Sequence, residues 1–464
     1  METNSSSAPS TQKVRREQLG SKRAPGWEWQ RASRRVRRAN AAAVRIGKAD
    51  ATLSGVGGLA SFNAFVQREG IGKTLRQKFG HLKVGKRVVY PLHTQIQLLL
   101  DASVVGARRV FDFEYLAADP LFTHLAGGAV PSVDTVYDDL RRFDAAASND
   151  LEDLMAEQGV RPLRDKPLRD VTIDIDTTVT PLFGTQEGAV PGPNPRYPGR
   201  PSYHPILGRI AEVDTVIGAR LRPGDTGLGS SDVEDIEDWI NRTHRAAPKA
   251  IITVRIDAGG DCTALLSAIE RRKGYFLVKM KQTSNLVSAV CNTKRWTTID
   301  VDASNAPTRQ VAEIDFRRDD WPKERRWRVF AVRTTERESG KQVCLWPDLD
   351  FSVHVYVTND MTRNLDELAR LYDDRAAIEP LIAELKNAFG IGKVSTSDFA
   401  ANEAAFLIKL LAYNVMRRWV MGAYKSIACW RASWIRRAVL CVPARLLRTN
   451  GHWDLRLAPR PLLN

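Results

Sequence analysis

Cysteine is scarce in this chain, and cysteine pairs at metal-binding spacing are absent. The five cysteines, Cys262, Cys291, Cys344, Cys429 and Cys441, are odd in number, far apart and never in a C-x-x-C. That argues against a disulfide framework and against a zinc site, and fits a reducing cytoplasm. The seven histidines are scattered, with no H-E-x-x-H or similar pairing, and most read as ordinary surface or core residues. No run approaches eighteen apolar residues, and no signal-peptide pattern is present, which argues against a transmembrane span and a secretory route. No internal repeat is apparent.

What the chain has in excess is positive charge. Its 464 residues allow two to four domains and a sizeable core, and 43% hydrophobic with 27% charged residues is the balance of a soluble globular protein. The formal net charge is +15 and the pI about 9.7. This charge is concentrated at the ends. Residues 1–50 hold twelve Lys/Arg against four acids, and residues 405–464 hold eleven against Asp454 alone. Two basic ends around a balanced middle point to a polyanionic partner, nucleic acid before a membrane surface.

The first forty residues, rich in Ser, Arg and Lys, read as a flexible basic arm. From about 41 to 165 the pattern is helical. "HTQIQLLLDASVVG" and "SVDTVYDDLRRFDAAASNDLEDLMAEQ" carry helical periodicity, and Pro131-Ser132 is a start signal for the second. This region suits a DNA-binding module or a plain helical scaffold. Then the period changes. "DVTIDIDTTVTP" alternates as a strand, and a Gly/Pro-rich stretch follows. After it the pattern predicts two more strands, a helix at "SDVEDIEDWINRTHR", a strand at "KAIITVRIDAG", a helix at "CTALLSAIERRKG" and a strand at "YFLVKMKQ". Short strands fill the next eighty residues, before a long helix at about 364–390. Trp321, Trp327 and Trp346 in that basic β region read as core rather than DNA-stacking residues. An apolar, basic helix and a hairpin turning at Asn450-Gly451 close the chain.

In "LYDDRAAIEPLIAELKNAFGIG", residues 371–392, Tyr372, Arg375, Glu379 and Lys386 are spaced three, four and seven apart. On an ideal helix those offsets keep all four within roughly a 60° arc, beside an apolar stripe. Pro380 directly after Glu379 predicts a kink or restart there. Two further acids stand out: Asp176 on the first strand and Asp257 where "IITVRID" runs out into "AGG". Strand, strand end and late helix can meet at one edge of a mixed sheet. Three carboxylates that close repel unless cations neutralise them, so convergence implies bound metal. Carboxylate donors select hard ions, Mg²⁺ or Mn²⁺, and a pair of such ions serves in-line displacement at phosphorus. Arg375 and Lys386 would then hold DNA phosphates, with Tyr372 as a further backbone contact. Arg196, Arg200 and His204 in the Gly/Pro stretch touch DNA near the first aspartate or form an ordinary surface loop. Asp174, two residues before Asp176, shares its side of the strand, so periodicity does not separate the two.

These residues resemble the DDE transposases of bacterial insertion sequences, in the branch carrying the Y-(2)-R-(3)-E-(6)-K motif. Tyr372, Arg375, Glu379 and Lys386 match that motif at every spacing, Asp176-Thr177-Thr178 resembles its D-x-T, and "GRPSYHP" and "VPARLLR" are similar to its other signatures. The likeness covers roughly residues 165–460. It implies a mixed α/β fold: a ribonuclease H-like core over 166–281, a β-rich insertion over 282–360, the Glu-bearing helix over 361–400 and a C-terminal region over 401–464 for oligomerisation and DNA contact. It also implies Asp176, Asp257 and Glu379 as catalytic and metal-binding residues, two divalent cations, and binding of terminal inverted repeats and target DNA. A homodimer in the synaptic complex and a bacterial, nucleoid-associated location belong to the same expectation. A repressor of transposase descent that has lost its chemistry, and a nuclease that hydrolyses without joining, stay open as rivals.

Overall fold

In the computed structural model, residues 45, 47–194, 196–335 and 351–459 are described. The arm expected over residues 1–40, and Trp346, lie outside them.

The alternation of "DVTIDIDT" forms β1 (Asp170–Thr177). Val171, Ile173 and Ile175 are fully buried on one face, and Thr172 and Asp174 are buried on the other. A strand covered on both faces needs helices on both sides, and the chain supplies them. Around β1 lie β2 (Ile206–Ile210), β3 (Thr215–Arg220), β4 (Ile251–Ile256) and β5 (Tyr275–Lys279). Four further strands follow: β6 (Thr297–Val301), β7 (Pro307–Glu313), β8 (Arg328–Thr335) and β9 (Phe351–Thr358). All nine form one sheet in the order β6-β7-β8-β9-β5-β4-β1-β2-β3. β1, β4 and β5 run parallel, and every other neighbouring pair is antiparallel. The β-rich stretch thus prolongs the central sheet through β9. Trp321 and Trp327 lie in its core with ring centroids 5.1 Å apart. That stretch also contains a helix the strand pattern did not anticipate, α8 (Ser284–Asn292), capped by Thr283.

On one face of the sheet lie α6 (Val233–Ala246) and α7 (Thr263–Arg271). The α6 indole of Trp239 presses onto Gly208 and Gly218, which pair across β2 and β3. A Cβ at Gly218 would fall 1.9 Å from the indole Nε1, so this close approach requires glycine. The N-terminal helices are α1 (Leu59–Arg68), α2 (Ile71–Phe79), α3 (Leu92–Val105), α4 (Val133–Leu140) and α5 (Ala145–Asp165). The single periodic run read from Ser132 onward is therefore two helices. Ser132 caps α4 and Asp144 caps α5, each side chain accepting a backbone N–H of its first turn.

Between these helices and the sheet runs α11 (Phe399–Ala423), buried almost all round from Ala404 to Val420. Such a helix reads as apolar on every side because it has no solvent face. Asn414 on α11 ties the layers together. Its Oδ1 accepts the Val216 N–H at 2.9 Å, and its Nδ2 donates to the carbonyls of Met155 and Val216 at 2.9 and 2.8 Å. At the C-terminus, β10 (Ala444–Thr449) and β11 (His452–Leu457) form a hairpin. Asn450 and Gly451 turn it at φ 50° and 84°, and β10 also pairs with Leu53–Ser54.

Candidate active site

The helix expected as one piece over 364–390 is divided. A capping box between Asn364 and Glu367 starts α9 (Leu365–Asp373). A 3₁₀ turn follows at Asp374–Ala377, then α10 (Ile378–Glu384), a π turn at Leu385–Phe389 and a stop at Gly390 with φ 66°. Pro380 explains the break: it has no N–H for the carbonyl four residues back, and it sits in the first turn of α10, where that donor is not needed. A tightened turn and a widened one move the four motif side chains off the single arc of an ideal helix. They still serve one edge of the sheet.

At that edge Ile175 on β1 pairs in parallel register with Ile256 on β4. The next residues along the two strands are Asp176 and Asp257. Three motif side chains anchor the late helix to the backbone around them. Arg375 Nη2 donates to the Ile175 carbonyl at 3.1 Å and stands 3.4 Å from Asp176 Oδ1. The Tyr372 hydroxyl donates to the Ile256 carbonyl at 3.3 Å, and its ring lies 4.5 Å from that of Tyr356 on β9. Lys386 Nζ donates to the Val179 carbonyl at 2.9 Å. So Tyr372, Arg375 and Lys386, read from the sequence as phosphate contacts, are engaged here with carbonyls of the carboxylate-bearing segments. Glu379 is exposed.

The electrostatics record the convergence. Burial pushes the Asp176 carboxyl above its ordinary value; Arg375 pulls it down, and Asp257 and Glu379 push it up again. Burial also raises the Tyr372 phenol to about 12, with Asp257 and Asp176 adding to the rise. Asp176 Oδ1 accepts the Thr177 N–H at 2.8 Å, and Asp257 Oδ1 accepts the Gly259 N–H at 2.9 Å. Among the described residues, however, no group of three or more His, Cys, Asp or Glu is gathered closely enough to hold a metal ion. The positive charge beside Asp176 is the Arg375 guanidinium.

Asp174 and Asp176 separate cleanly. Asp174 is 0% exposed. Arg255 grips it with Nε and Nη2 at 2.6 and 2.9 Å, and Arg209 Nη1 adds a contact at 3.1 Å. The three residues pair across β2, β1 and β4 in one row. Arg255 also donates to the Leu371 carbonyl at the end of α9, so the buried network fixes the late helix as well as the sheet. Sequence reasoning missed this network, and it missed Lys279. That β5 lysine has its ammonium pKa lowered by burial, partly restored by the field of Asp257. Arg196 and Arg200 flank Tyr197, and the Arg200 guanidinium lies 4.4 Å over the exposed Phe183 ring. His204 is buried, and burial lowers its imidazolium pKa.

The family model described as Transposase DDE domain group 1 matches residues 36–461. A comparison with curated proteins finds no match. Among solved structures, the piggyBac transposase in its synaptic complex with hairpin DNA is similar at 10% sequence identity and a TM-score of 0.42. The likeness covers 82% of this chain and 78% of that one. Among the described residues no helix is long and apolar enough to cross a membrane.

Proposed function

The chain belongs to the Transposase DDE domain group 1 family, and from that premise we propose that it cuts and joins DNA at a site built from Asp176, Asp257 and Glu379. One observation carries this reading. The register of β1 and β4 sets two aspartates side by side at a strand-end edge, with the Glu379 helix anchored to the carbonyl before each of them. The strand order β3-β2-β1-β4-β5, with β2 and β3 antiparallel, supports a ribonuclease H-like core. The Y-(2)-R-(3)-E-(6)-K spacing supports the bacterial insertion-sequence branch.

The donor set suits hard divalent cations, Mg²⁺ or Mn²⁺: all three side chains are carboxylates, and Asp176 is destabilised as an anion by burial and by the other two. Two such ions, when bound, supply charge neutralisation and an activated oxygen for in-line attack at phosphorus. Asp176 and Asp257 would hold them from the sheet and Glu379 from the helix, once the three carboxylates, which are not gathered closely enough in this structure, draw together around the ions. Arg375 orients Asp176 through the Ile175 carbonyl and the carboxylate together. Tyr372 fixes the backbone that leads into Asp257.

The partners of this reading are duplex terminal inverted repeats and target DNA, held in the bacterial cytoplasm by a homodimer that brings two ends together. The helical region 41–165 and the C-terminal region 401–464 would contact that DNA. The test is incubation of the protein with Mn²⁺, a labelled duplex ending in its own element's repeat, and a target plasmid. End cleavage with joined products is expected. Cleavage without joining would make the protein a nuclease, and binding without cleavage would make it a repressor.

A further inference from the structure

Four residues after Asp257, in "DAGGDC", the chain carries a second acid, Asp261, which is buried. The turn between the two is tight. The Asp257 carboxylate accepts the Gly259 N–H at 2.9 Å, and the Asp257 carbonyl accepts the Gly260 N–H at 3.1 Å. A Cβ at Gly260 would fall 2.3 Å from Ile256 Cγ2, so the turn closes only around glycine. Where Asp261 is held therefore decides where Asp257 stands.

The Asp261 carboxylate joins three segments. Its Oδ2 accepts the Lys281 N–H just past β5 at 2.9 Å, and its Oδ1 accepts Arg318 Nη1 at 2.7 Å. Arg318 lies in the β-rich insertion, on the connection from β7 to β8. It also grips Asp320 with Nε and Nη2 at 2.9 and 2.6 Å, and Asp320 in turn accepts the Thr263 hydroxyl at 2.6 Å. Thr263 opens α7, whose N-cap residue Cys262 makes no side-chain cap bond, so the insertion supplies the hold that a local cap would give. At the other end of α7, Trp327 Nε1 donates to Glu270 at 3.2 Å and Arg325 pairs with the same carboxylate. The connection clasps α7 at both ends, and the buried ion pair of that clasp is the one next to Asp257. Parting a buried carboxylate from its cation leaves an uncompensated charge, so this end resists displacement.

We infer that Asp261 and Arg318 are a positioning pair, through which the β-rich insertion sets Asp257 for metal binding. Asp176, Asp257 and Glu379 must draw together to share ions. The late helix is anchored to the carbonyls before both aspartates, whereas the turn that presents Asp257 is held separately, by the insertion. That Asp257 receives a metal rests on the transposase reading; the clasp itself does not.

Two readouts are compared in wild type, Arg318→Lys, Arg318→Met and the Asp261→Asn/Arg318→Met double variant. The double variant removes both charges together, so no buried charge is left unpaired, and the asparagine oxygen still accepts the Lys281 N–H. In the metal-free protein, the amides of residues 257–262 should exchange hydrogen at least about tenfold faster in both Met variants, with β1 and β2 unchanged. The Mn²⁺ concentration for half-maximal cleavage of a terminal-repeat duplex should rise about 10- to 100-fold in both at unchanged DNA affinity. Arg318→Lys, which keeps the charge, should recover most of both changes. A wild-type Mn²⁺ requirement in the double variant, or exchange that is unchanged or rises evenly across the sheet, would overturn the positioning role. A wild type that cuts no DNA would fault the transposase reading, and the exchange result alone would then decide the clasp.

Discussion

Arg375 meets Asp176 twice, at the carboxylate and at the carbonyl of the residue before it, with distances of 3.4 and 3.1 Å. The guanidinium therefore fixes the direction in which the carboxylate leaves the strand. It also offsets part of the penalty of burying it, which is otherwise raised by burial and by Asp257 and Glu379.

The first prediction follows from the sign of that shift. A carboxyl whose folded pKa lies above 3.8 binds more protons folded than unfolded, so its ionisation subtracts stability as pH rises through that window. Asp176→Asn removes the penalty. At neutral pH the variant should melt at a higher temperature than wild type while losing at least about 10²-fold in cleavage. Thermal melts at pH 4 and pH 7 check it, because the stabilisation should shrink at the lower pH.

Asp174→Asn should do the opposite, although it lies two residues away on the same side of the strand. It would leave Arg209 and Arg255 buried without their shared carboxylate, and breaking a buried pair costs about 3–5 kcal/mol. Chemical denaturation measures the loss. A melting point unchanged by Asp174→Asn would contradict the structural role given to the network.

This pair marks where the sequence stopped being readable. Period-two alternation places Asp174 and Asp176 on one side but does not say which is paired, because Arg209 and Arg255 come from distant segments. Local signals fared better. Asn450-Gly451 turns the terminal hairpin through two positive φ angles, and Pro380 marks the break in the late helix. The uniform-helix reading of Tyr372, Arg375 and Lys386 missed their carbonyl partners for the same reason that it missed Lys279. Those partners lie at or just past strand ends, which only the sheet order brings beneath the helix.

Tyr372→Phe separates anchoring from phosphate contact. Loss of one net hydrogen bond to the Ile256 carbonyl should lower turnover about 2- to 10-fold. DNA affinity should stay unchanged, whereas loss of a direct phosphate contact would weaken it. Single-turnover cleavage beside an equilibrium DNA-binding titration reads both.

Lys409 on α11 donates to the carbonyls of Gly390 and Lys393 at 2.8 and 3.1 Å, and burial pulls its ammonium pKa down to about 7. The unfolded chain holds this proton up to about pH 10.4, so the group's contribution makes stability rise with pH between those values, by at most about 1.4 kcal/mol per unit. Lys409→Met should flatten that rise. Urea melts at pH 7 and pH 9 measure the difference between the two proteins.

Gly218→Ala should destabilise by about 1–3 kcal/mol or more through collision with Trp239. The damage should spread along β2 and β3 while leaving β6 to β9 protected in amide hydrogen exchange.

The most direct measurement is cleavage of a duplex carrying the terminal repeat, with Mn²⁺, by wild type and by Glu379→Gln side by side with their DNA affinities. Glu379 is exposed, so the isosteric change leaves the fold alone and removes only the charge. Loss of cutting by at least about 10²-fold with affinity retained is the predicted result. Equal cutting by both proteins would contradict the account, leaving Glu379 an ordinary acid on a helix face.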